Sequence, residues 1–183
     1  MSSLIIMLYY LMLFCMVAFP FFYFRALKNN SWGKTIFELL PKRLAWKKEL
    51  SGAIVLLVLL FVAFLALSTI LSIAGLNDLN NVNDVINSEI QNSALFFAIT
   101  IAVVVFIEEF FFRGFLQKRI GIFPSTAVFT ILHIGYGSIA EIIGVFALGL
   151  ILAYWYKKHN SLMQNYLGHL LYNIIAILIY LVL

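Results

Sequence analysis

Glu108, Glu109 and Arg113 are the residues of this chain best placed to do chemistry, because they interrupt the apolar run Ile107 to Gln117, which otherwise reads as a membrane-spanning helix. On insertion scales one charged side chain at a bilayer centre costs about 3 kcal/mol. Three uncompensated charges would cost about 9 kcal/mol, comparable to the stability of a domain, so the cluster must be compensated internally. Glu109 and Arg113 stand four apart, which puts carboxylate and guanidinium on one helix face, where they neutralise each other. Glu108, about 100° round the helix, needs a proton or a polar partner from another helix.

The other polar groups singled out in the last four apolar stretches are His133, Glu141, His169 and Asn173. Glu108 is ten residues from Lys118, His133 nine from Pro124 and His169 eleven from Lys158. At 1.5 Å per residue all three lie about 14 to 17 Å from one face, so separate helices deliver polar groups to one layer near the midplane. His169 and Asn173, four apart, share a face. Glu141 falls at the opposite end of its helix and receives no catalytic role. Such a set suits water activation inside a membrane: a glutamate as general base, with imidazoles and an amide to orient the water or hold an oxyanion. Taken singly, each residue also reads as interhelical glue, and Glu109 with Arg113 as a structural ion pair. Zinc stays open, since His133, His169 and Glu108 are acceptable ligands, but no His-Glu-x-x-His helix and no nearby cysteine supports it.

The elements that must carry these residues follow from composition. Hydrophobic residues make up 64% of the chain and charged residues 11%, which excludes an ordinary soluble domain and implies an all-α polytopic bundle of about six transmembrane helices. The net charge of +4 is concentrated in one loop, Arg25 to Glu49, so it reads as orientation by the positive-inside rule and not as nucleic-acid binding. Within that loop Trp32, Ile36, Leu40 and Leu44 recur every four residues among lysines, as in a helix lying in the interface against membrane lipids. Spans are expected at Leu4 to Phe24, Leu50 to Leu76, Ser93 to Ile120, a short one from Pro124 through His133 to Gly135, Ser138 to Tyr156, and Ser161 to Leu183. Asn77 to Asn92 is expected to be an outer loop. Residues 1–92 then form an N-terminal pair of helices and 93–183 a four-helix core. Cys15 reads as a buried packing residue, and Ala140, Gly144 and Gly149 as points of close helix contact.

Glu108-Glu109 followed by Arg113, then Phe129 with His133, then His169 with Asn173, resembles the three ordered motifs of the CPBP intramembrane proteases, the CAAX protease and bacteriocin-processing or Abi family. The likeness covers roughly Ala94 to Ala176. It implies an Abi/CAAX-protease-like helical core and a peptidase acting on a membrane-anchored or lipidated peptide or protein. It further implies that Glu108 with His133 activates the water, that His169 with Asn173 stabilises the oxyanion, and that Glu109 and Arg113 position Glu108. A metal-free mechanism with no required cofactor is the expectation, with Zn2+ the alternative. A non-proteolytic bacteriocin self-immunity or interaction protein on the same scaffold is the rival function. The expected location is a prokaryotic cell membrane, with the site opening towards the cytoplasm.

Overall fold

The computed structural model describes residues 3–31, 34–35, 45–76 and 78–182, and every regular element among them is helical. α1 (Ser3–Phe22) runs into a π-helical turn, Tyr23–Leu27, and α2 is Trp46–Ile73. α3 (Asn80–Glu108) is continued by a π-helical segment, Glu109–Leu116, and by the single turn α4 (Gln117–Ile120). α5 (Ile122–Ile131), a 3-10 turn at Ile134–Tyr136, α6 (Ile139–His159) and α7 (Leu162–Val182) complete the chain. The stretch Trp32, Ile36, Leu40 and Leu44, expected to lie in the interface, falls outside the described residues.

Among the described residues five stretches are long and apolar enough to cross a membrane: Met7–Leu27, Trp46–Ile73, Val82–Ile120, Ile139–His159 and Leu162–Ile179. This is an integral membrane protein built as an all-α bundle. α5 has ten residues, about 15 Å of helix against a hydrocarbon core of about 30 Å, so the sixth apolar helix is half the length of a span. Large apolar side chains stand exposed around the bundle, Ile73 at 84% and Leu95 at 74% among them. In lipid such exposure carries no penalty, and close packing is left to hold the helices together.

α2 lies along α7 and also meets α6, and α5 packs on α6. Leu56 and Leu60 of α2, both fully buried, meet Leu152 of α6. Gly168 makes that approach possible, since a Cβ there would come within 2.9 Å of Leu56 and 3.2 Å of the Ala53 carbonyl. On the other side α1 places Leu13 and Met16 against Phe112 and Phe129. α6 and α7 are joined by a tight turn in which Asn160 adopts the left-handed conformation, φ 49°, while Ser161 Oγ caps α7 by accepting from Gln164 N at 3.2 Å.

Four expectations need correction. The outer loop is helical from Asn80 onward, because Val82, Ile86, Glu89 and Ile90 form a half-buried stripe at helical spacing that outweighs the poor propensity of asparagine. The break comes at Ser93, which is extended and whose Oγ accepts from Phe96 N at 3.3 Å, starting the membrane part of α3. α5 stops at Ile131, so His133 lies beyond the helix, and Gly137 in the left-handed conformation ends the 3-10 turn that follows. Cys15 is exposed on the lipid side of α1. Of the small residues, Gly149 is a close contact but Gly144 has open space where a Cβ would stand.

Candidate active site

The π-helical segment carries the charged cluster inward. Such widened turns are rare and recur at functional sites. Here Glu109 and Arg113 are almost wholly buried, at 0% and 1% exposure. Glu109 Oε2 stands 3.5 Å from Arg113 Nε and accepts from Asn165 Nδ2 at 3.2 Å, while Oε1 lies 2.9 Å from His169 Nδ1. A group that meets a guanidinium, an amide N–H and an imidazole is suited to being a carboxylate, and the imidazole then donates from Nδ1. That leaves Nε2 as the ring nitrogen not engaged by Glu109, the arrangement by which a buried acid orients a histidine.

The backbone of α6 supports this cluster from behind. Arg113 Nη2 donates to Gly149 O at 3.4 Å, Asn165 Nδ2 to Leu152 O at 2.8 Å, and Gln117 Nε2 to Ala153 O at 2.8 Å. Gly149 and Ala153, four apart, form a small-residue face that lets the polar side chains reach main-chain oxygens. A Cβ on Gly149 would meet Thr126 at 3.0 Å and Phe129 at 3.3 Å.

Phe129 joins the remaining groups. Its ring stands 4.7 Å from the Arg113 guanidinium, 4.7 Å from the His133 ring and 6.5 Å from the His169 ring. His133 Nδ1 lies 2.9 Å from the Phe129 carbonyl. A carbonyl can only accept, so Nδ1 carries the hydrogen and Nε2 the lone pair. Glu108 is half-buried, within electrostatic range of His169, Glu109 and Arg113, and its carboxyl makes no hydrogen bond among the described residues. Asn173 is half-buried one turn beyond His169 and likewise makes none among the described residues.

Residues 90–175 match the family model for type II CAAX prenyl endopeptidase, Rce1-like. Over this segment, a little under half of the chain, the protein is similar to the Rce1-like family. No curated protein and no solved structure matches the chain. The matched family is one of CAAX-type endopeptidases, which supports in general terms a peptidase core within the membrane bundle. It contains every polar residue that the sequence singles out for chemistry.

Within the matched segment the structure brings Arg113 and His169 into contact with Glu109 and sets His133 beside them across Phe129. Glu109 touches His169 and Asn165, where the resemblance had it positioning Glu108. Asn165, fully buried, is missed by sequence reasoning, although stepping back four residues from His169 on the same face reaches it. Gln117 is missed as well, four beyond Arg113. Among the described residues no three His, Cys, Asp or Glu side chains converge as a metal site. No step is therefore drawn through a metal.

Proposed function

We propose that this protein hydrolyses a peptide bond of a membrane-associated or lipidated substrate with water activated by Glu108 and no metal. The observation that carries the reading is the buried Glu109–His169 pair, braced by Arg113 and Asn165, beside a glutamate that has no hydrogen bond of its own among the described residues. Glu108 takes a proton from the water, and the His133 Nε2 lone pair accepts the water's other hydrogen and aims it. As the oxygen bonds to the carbonyl carbon, the developing oxyanion is held by His169, donating from Nε2 as an imidazolium opposite Glu109, and by the Asn173 amide. The C–N bond then breaks and the proton on Glu108 passes to the leaving amine. By the positive-inside rule, the basic stretch from Arg25 to Glu49 and the Lys118–Arg119 end of the core would face the cytoplasm of a prokaryotic cell.

The test is cleavage of membrane-anchored peptides by the purified protein. A general base contributes about 10²- to 10⁴-fold, so Glu108→Gln should lose activity by that factor while the folded protein still elutes as wild type. A zinc chelator should leave wild-type cleavage unchanged. Undiminished cleavage by Glu108→Gln, or loss on chelation with recovery on added zinc, would overturn the mechanism.

A further inference from the structure

Away from the catalytic cluster, Lys28, Lys34, Lys118 and Arg119 line one cleft of about 490 Å³, floored by Tyr23 and Phe24, with no acidic side chain among the described lining residues. The cleft sits where two spans end, Met7–Leu27 and Val82–Ile120, so it lies at the depth where hydrocarbon gives way to headgroups. Four like charges facing one concavity repel one another unless an anion is among them.

Arg119 is held ready for such an anion. Its guanidinium carbon stands 3.8 Å from the centre of the Phe115 ring, 4.7 Å from Tyr23 and 4.8 Å from Phe24. Nη1 donates to the Phe115 carbonyl, while the buried Nε finds no acceptor among the described residues. Lys28 adds a second cation 5.9 Å from the Tyr23 ring, and Lys118 extends over Tyr156 at 5.5 Å. A planar guanidinium fixed by stacking, with mobile ammonium groups around it, suits a phosphate ester.

We propose that this cleft binds the phosphate of an anionic lipid headgroup. The lipid is favoured over a soluble phosphate because the cations meet at the end of two membrane spans and the floor is aromatic, as at a membrane interface. The site is independent of the peptidase reading, since none of its cations touches Glu108, Glu109, His133 or His169.

The full-length protein, purified in detergent, is examined by native mass spectrometry with phosphatidylglycerol, phosphatidylcholine or inorganic phosphate. One phosphatidylglycerol per chain should be retained about tenfold or more over phosphatidylcholine. Lys28→Gln/Lys34→Gln/Lys118→Gln changes only exposed side chains and should abolish that preference with helicity unchanged. Arg119→Gln should do the same. Equal retention of the two lipids, or a preference that survives the triple substitution, would overturn the site. Displacement of phosphatidylglycerol by an equal concentration of inorganic phosphate would overturn the lipid assignment in favour of a soluble phosphate.

Discussion

Glu109 has both carboxyl oxygens committed to side chains from its own helix and from α7, and its burial makes its charge and its shape separable by substitution. Glu109→Gln keeps the shape but takes from buried Arg113 the carboxylate it is paired with, a change that costs about 3 to 5 kcal/mol. The variant should also lose cleavage, because an amide cannot stabilise an imidazolium at His169. Adding Arg113→Met removes the orphaned cation, so thermal unfolding should recover most of the lost stability while activity stays low. Recovery of both in the double variant would reduce Glu109 to a structural ion pair. Failure to recover stability would mean that the hydrogen bonds to Asn165 and His169, and not the charge balance, dominate the cost.

The helix contacts that carry the cluster depend on a few glycines, and their surroundings differ sharply. Gly168 sits beneath Leu56, one residue before His169, so Gly168→Ala should cost about 1 to 3 kcal/mol by overpacking and lower cleavage by displacing the histidine. Gly144→Ala meets open space and should be neutral or stabilise by up to about 1 kcal/mol. Unfolding midpoints of the two variants would separate them, and equal midpoints would sink the packing assignment. Both glycines look alike in the sequence, because hydropathy reports how apolar a helix is and not which neighbour lies against it. The spans were legible because apolar length dictates them. Depth alone puts Glu108, His133 and His169 in one layer, but it does not reveal that Glu109 is the carboxylate that meets His169. Not legible were the π-helical widening at Glu109 and the early end of α5, which depend on tertiary packing, or the partnership of Asn165 with Glu109, which needs the rotation of two helices.

Across the whole molecule, the end of the bundle opposite the basic cleft is fastened by Asp78 in the α2–α3 connection, about 60 residues from its partners. Its Oδ2 accepts from Ile139 N at 2.6 Å, and its Oδ1 accepts from Ala140 N at 3.0 Å and Ser138 Oγ at 2.9 Å, while Ser138 Oγ caps α6 by accepting from Glu141 N at 3.0 Å. A carboxylate at a helix N-terminus satisfies orphan donors and meets the positive end of the helix dipole. The N–H of Ile139, followed by that of Ala140, holds the Asp78 carboxyl below its ordinary value of 3.8, with the Ser138 hydroxyl adding a smaller push in the same direction against the opposing effect of partial burial. The folded form therefore prefers the charged group. Its contribution to stability is complete above pH 3.8 and is lost as the pH falls through the lower folded value. Asp78→Asn should unfold at a lower temperature than wild type at about pH 6, and the gap should close on acidification below about pH 3.8 as wild type gives up the same interaction. A gap that persists unchanged through the acid range would mean that the carboxyl's shape and hydrogen bonds, and not its charge, fasten the connection to α6.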